Sequence, residues 1–115
     1  MLELRVHFEV DSASAALEEA VQLAKLVSLH ATPTSCDVTR YRKFPSQHVV
    51  RLELDALQPS DAFVAITALF APDWRFGPSP EDPWAVWDLA THGPSAMDKA
   101  RWAELQILKR QATGS

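Results

Sequence analysis

Residues 72–89 read PDWRFGPSPEDPWAVWDL, and the parsing of this stretch decides the fold. Three of the four tryptophans fall in it, Trp74, Trp84 and Trp87, with four of the eight prolines. The aromatic runs 73–76 and 84–89 suit strands. The linker Gly77-Pro78-Ser79-Pro80-Glu81-Asp82-Pro83 excludes helix and central strand, because three prolines remove N–H donors and lock φ. On the second run Trp84 and Val86 point to one face, while Ala85, Trp87 and Leu89 point to the other. Such a strand needs cover on both sides.

Working outward, the best-defined element is the N-terminal run. Leu2, Leu4, Val6, Phe8 and Val10 alternate with Glu3, Arg5, His7 and Glu9, which predicts a strand with one buried and one polar face. Asp11-Ser12-Ala13-Ser14 supplies N-cap chemistry for a helix over residues 12–30. Its inner stripe is read as Leu17, Ala20, Val21, Ala24 and Val27, widened by Leu23. Pro33 ends it. Residues 36–44 read as an edge strand, with Arg40, Arg42 and Lys43 discouraging unwanted pairing. Residues 48–57 repeat the alternation of the first strand: Val50, Leu52 and Leu54 face in, and Arg51, Glu53 and Asp55 face out.

Pro59 near the first helical position and Asp61 in the first turn predict a second helix, with Phe63, Ile66 and Phe70 inside and Pro72 as its stop. After His92-Gly93-Pro94, Ser95 to Asp98 resembles a capping box, and a last helix is expected over residues 96–110. Its apolar positions, Met97, Ala100, Trp102, Ala103, Leu105, Ile107 and Leu108, wrap around more than one face.

The resulting order predicts an α+β protein. The expectation is a ferredoxin-like βαββαβ sandwich, an antiparallel sheet with helices on one face, plus an extra C-terminal helix. Residues 1–112 form one domain and 113–115 a frayed tail. The other sheet face would carry Glu3, Arg5, His7 and Glu9 beside Arg51, Glu53 and Asp55.

Composition narrows the function classes. A length of 115 residues with 47% hydrophobic content suits one domain with one core. One cysteine, Cys36, permits no intrachain disulfide, so a reducing, cytoplasmic setting is expected. The N-terminus enters a strand directly, without the basic and apolar runs of a signal peptide, and no stretch is long enough for a membrane span. With net charge −4 and basic clustering confined to residues 40–43, no nucleic-acid partner is expected.

No catalytic residue is assigned. His7, His30, His48 and His92 lie in no zinc spacing, so no metal is expected, and three glycines leave no phosphate cradle and no cofactor site. Cys36 with His30 or His48 lacks an orienting third group. A tryptophan buries about 150–250 Å² and is costly to leave in water, so the tryptophan stretch belongs to core or to an interface. The interface reading assigns partner contacts to Asp73, Trp74, Arg75, Glu81, Asp82, Trp84, Trp87 and Asp88, since Trp and Arg are common hot-spot residues. An alternative small-molecule site comprises His7, Tyr41, Arg51 and Glu53 on the polar sheet face.

The run Asp73-Trp74-Arg75-Phe76, Glu81-Asp82-Pro83, Trp84-Ala85-Val86-Trp87-Asp88 resembles a pattern of small bacterial immunity-type proteins. In that pattern an aromatic strand, an acidic turn and a further aromatic strand close the sheet. The resemblance covers about one-sixth of the chain. It implies a cytoplasmic, non-enzymatic protein that binds and neutralises a toxin domain. The alternative is a small-molecule binder or small enzyme on a dimeric ferredoxin-like scaffold, so a homodimer is also expected as a possible assembly.

Overall fold

The computed structural model describes residues 1–44, 46–77 and 83–108. Strand β1 (Leu2–Phe8) leads to helix α1 (Ala13–Val27), then strands β2 (Thr32–Arg40) and β3 (His48–Asp55). Helix α2 (Pro59–Phe70), strands β4 (Arg75–Phe76) and β5 (Trp84–Asp88), the short helix α3 (Leu89–His92) and strand β6 (Ala100–Ile107) follow. Among the described residues the strands form one six-stranded sheet, in the order β2-β3-β1-β6-β5-β4. Every pairing is antiparallel.

The class is α+β, as expected. The extra C-terminal helix does not form: the residues assigned to it make β6, which pairs with both β1 and β5, and the sheet has six strands rather than four. The reason is a β-bulge. His7 faces Trp102, the register then slips, and Phe8 faces Ala100, leaving Arg101 as the extra residue. The inward positions become Ala100, Ala103 and Leu105. A spacing of three followed by two imitates helical periodicity. Ser95 does not cap a helix. Its hydroxyl accepts from Met97 N (3.1 Å) and donates to Met97 O (2.9 Å), closing a turn before β6. Residues 109–112, and the tail beyond them, lie outside the described residues.

Both long helices pack on one face of the sheet. Leu2, Leu4, Val6 and Phe8 of β1, with Val50, Leu52 and Leu54 of β3, meet Ala16, Ala20, Leu23 and Val27 of α1 and Phe63, Ile66 and Phe70 of α2 in one core. Ser12 caps α1 by accepting from Ala15 N at 3.1 Å. The buried stripe of α1 differs from the expected one: Leu17 and Val21 are 53% and 52% exposed. The helix lies rotated so that smaller Ala16 and Ala20 approach the sheet.

The tryptophan stretch forms two strands, shorter than its sequence predicts: Asp73 and Trp74 precede β4, and Leu89 opens α3 instead of extending β5. Trp87 is fully buried, stacks edge-on against Phe70 (5.3 Å between centroids) and donates its indole N–H to Gly93 O at 3.0 Å. Gly93 ends α3 at φ 82°, a conformation that favours glycine. Trp74 is buried against Phe70, and its Nε1 donates to the carbonyls of Thr67 and Ala71, the last turn of α2. Trp84 faces the opposite side of the sheet and is half-buried. A Cβ at Gly77 would sit 2.5 Å from its indole, so only glycine lets the β4–β5 ribbon close over this ring.

Trp87→Ala should therefore lower the unfolding free energy by about 3–5 kcal/mol, read from urea denaturation. Trp84→Ala should cost well under half of that, because its ring remains partly in water.

Candidate binding face

The face of the sheet opposite the helices carries no cover among the described residues. Its side chains come from alternate positions of β1, β3 and β6, so the strict register lays them out in rows. One row runs Asp37, Arg51, Arg5, Glu104, Val86 and Arg75 across all six strands. The next, towards the tryptophan end, contains Ser35, Glu53, Glu3, Gln106 and Trp84. The row on the other side contains Thr39, Val49, His7, Trp102 and Asp88.

Glu3 is the anchor of the charged rows. It is 8% exposed, and a buried carboxylate must be paired. Arg51 Nε donates to it at 2.8 Å, Gln106 Nε2 at 3.3 Å, and Arg5 Nε lies 3.7 Å away. Arg51 also reaches Glu53 (3.0 Å) and Asp37 (3.2 Å). The hydrogen bond to Glu3, then its charge, raise the Arg51 pKa above the usual arginine value. Arg5 is tied to Glu104. These guanidinium groups are fixed in place before any ligand arrives.

The third row opens into a basin of about 950 Å³, lined among others by Arg5, His7, Tyr41, Phe44, Arg101 and Trp102. The turn after β2 raises one wall. Tyr41 N donates to Gln47 O (2.9 Å) and Gln47 N to Phe44 O (2.8 Å), while the Gln47 side chain donates to Glu9 (3.2 Å). His7 stands between two rings, edge-on to Tyr41 (4.6 Å) and to Trp102 (4.8 Å). Arg5 lies 6.0 Å from the Trp102 ring centre. Burial, then the Arg5 charge, lower the His7 pKa below its usual value, against a hydrogen bond with Gln47 that raises it. His7 is therefore a neutral ring at pH 7. On the opposite rim, slight burial works against ionisation of Asp88. Hydrogen bonds from Thr91 and from Ala90 N, with the His92 charge, nevertheless hold its carboxyl below the usual range. Asp88 serves α3 as its N-cap.

This arrangement redistributes the sequence candidates. Trp74 and Trp87 belong to the core, where they are unavailable to a partner. Arg75 and Trp84 share the open face, with the guanidinium 5.8 Å from the indole centre, and Asp88 borders the basin. Asp73 is exposed beside β4. Glu81 and Asp82 lie outside the described residues. His7, Tyr41 and Arg51 line the basin, whereas Glu53 does not. Arg101 and Trp102 were hidden by their assignment to a helix; the alternation of Trp102, Glu104 and Gln106 with Ala103 and Leu105 is the signal that identifies their face. Among the described residues there is no cluster of three or more His, Cys, Asp and Glu able to hold a metal, and no helix is long and apolar enough to cross a membrane.

The chain matches no known family model, no curated protein and no solved structure.

The depressed His7 pKa makes stability depend on pH. The unfolded chain takes up this proton first as pH falls, so the contribution is complete above about pH 6.5 and is lost as pH drops from there towards the lower folded value. Urea midpoints should fall across that window in the wild type and less steeply in His7→Gln. Arg51→Met should lower the midpoint by stranding Glu3, and adding Glu3→Gln should restore part of the loss, a non-additivity read from the double-mutant cycle.

Proposed function

We propose that this chain is a non-catalytic protein-binding module whose contact surface is the open face of the sheet. In its most concrete form it is a bacterial immunity-type protein acting in the cytoplasm, which neutralises a toxin domain by covering it. We read the scaffold as a ferredoxin-like core of β1, α1, β2, β3, α2 and β6, widened by β5 and β4.

The observation that carries this reading is the content of one uncovered, pre-organised face: Trp84, Trp102 and Tyr41 with Arg5, Arg51, Arg75 and Arg101. Tryptophan, tyrosine and arginine are the residue types that dominate binding hot spots. Arg5 and Arg51 are held by neighbouring carboxylates, Arg101 by the carbonyls of Asp98 and Ala100, and Arg75 lies against the Trp84 ring, so little side-chain order is lost on docking. The basin is broad and lies on the outside of the sheet. It suits a protruding segment of a protein better than a small ligand that must be largely enclosed. The interface moves from the hairpin itself to the face that the hairpin extends.

A small-molecule reading draws on the same basin, with the neutral His7 and the Tyr41 hydroxyl as polar groups. The two readings separate on one experiment. A toxin domain, sought among the products of the adjacent genes, would be titrated calorimetrically with wild type, Tyr41→Ala, Trp84→Ala and Trp102→Ala. The immunity reading expects nanomolar binding and losses of about 2–4 kcal/mol for Trp102→Ala and Tyr41→Ala. Undiminished binding by all three variants would remove the open face from the interface. No binding by the wild type would remove the toxin reading itself.

A further inference from the structure

A second surface, on the far side of the molecule from β4, is built to take a strand. Strand β2 is an edge, with nine residues against the two of β4 at the opposite edge. Tyr41 N donates inward to Gln47 O, and antiparallel pairing alternates. The odd positions 35, 37 and 39 therefore turn their backbone groups towards β3, and Cys36, Val38 and Arg40 turn theirs outward. Long edges are ordinarily blunted by proline, bulges or charge. Here Pro33 and the register shift after it guard only the start of β2, and Arg40 only its end. Residues 35–39 are regular and open.

Directly above this edge lies an apolar groove of about 340 Å³. It is lined by Leu17, Val21 and Ala24 of α1 with Pro33, Cys36 and Leu52. Leu17 and Val21 are the two α1 side chains that the core leaves out. Helix α1 thus overhangs the sheet, as a helix does when a further strand belongs beneath it.

We propose that the occupant is a second copy of this chain, docked β2 to β2 about a two-fold axis at Cys36, so that the two sheets run on as one. An axis perpendicular to the sheet keeps both helical faces on the same side and pairs residues of equal parity. Centred on Cys36 it sets Ser35 against Asp37 of the partner and Thr34, at the register shift, against Val38, with no like charges opposed. Centring on Asp37 would oppose two carboxylates, which is destabilising. Centring on Val38 would slide the two strands by four residues, about 13 Å, and separate the grooves. Of these three centrings, the Cys36 axis passes beside the groove that Cys36 shares with Leu17 and Val21, and a self-complementary patch is what a two-fold interface requires. Strand β2 also borders the open face through Asp37 and Thr39, but continuing the sheet edge to edge adds no layer over that face.

Sedimentation velocity of the full chain from about 1 to 100 μM, a span covering the usual range of specific association, tests the proposal. A species of twice the chain mass is expected. Leu17→Lys with Val21→Lys, both at exposed positions, should raise its dissociation constant at least about tenfold. Cys36→Pro, which removes an outward N–H at the axis, should do the same, with circular dichroism confirming the fold in each case. Opposed Cys36 residues would lie about 5.5 Å apart between Cα atoms, within reach of a disulfide. Burial, then Asp37, push the thiol pKa up, so an added oxidant, copper-phenanthroline, would take the two thiol hydrogens and close the bond. A wild type that remains monomeric at 100 μM, a dimer indifferent to the Lys pair, or a dimer that forms no Cys36 cross-link would each overturn the arrangement.

Discussion

Strand β1 is hydrogen-bonded along its full length on both edges, to β3 on one side and β6 on the other. Everything else is placed by that double pairing. Its inward side chains, Leu2, Leu4, Val6 and Phe8, are fully buried and give α1 and α2 a common floor. Its outward side chains, Glu3, Arg5 and His7, then lie in the middle of the opposite face with a neighbour on either side. Because the side-chain period of a strand is two, a slip of one residue in either pairing would exchange the two faces. The bulge at Arg101 absorbs such a slip at the end of β6, where it redirects a guanidinium onto the rim of the basin and leaves the rest of the register intact.

The charged rows follow from this constraint. Glu3 is nearly removed from water, and Arg51 and Gln106 reach its carboxyl group from the two flanking strands. An unpaired charge at that depth would cost several kcal/mol, whereas a paired one roughly breaks even with an apolar residue. Its value lies in geometry. Arg51 is held by carboxylates from three strands, and Arg5 lies between Glu104 and Glu3. The face is consequently a fixed pattern of donors and aromatic rings.

What the residues disclosed in advance depended on how regular each segment was. β1 and β3 were legible because their alternation is unbroken, and α2 because Pro59 and Pro72 bracket a run whose inner stripe is Phe63, Ile66 and Phe70. β6 was illegible because one bulged residue turned a period of two into an apparent helical spacing. With β6 misassigned, the position of Trp102 and the basin it lines could not be inferred. The stripe on α1 is illegible for another reason: Leu17 and Val21 are as apolar as core residues, and helical spacing alone does not say that Ala16 and Ala20 turn to the sheet instead. Of the aromatic hairpin, the strands and the opposed faces of Trp84 and Trp87 were readable. The fate of Trp74 was not, since its burial depends on carbonyls at the end of α2 that sequence spacing does not bring into view.

The four indoles are divided between two environments, and this gives the molecule built-in optical reporters. Trp74 and Trp87 are sealed in the core with their N–H groups bonded to backbone carbonyls, while Trp84 and Trp102 stand half-buried on the open face. Emission from the first pair follows the integrity of the core. Emission from the second follows the solvent above the sheet, and a quencher dissolved in water reaches only these two. Folding and the environment above the open face are thus separable in the fluorescence of the unlabelled chain.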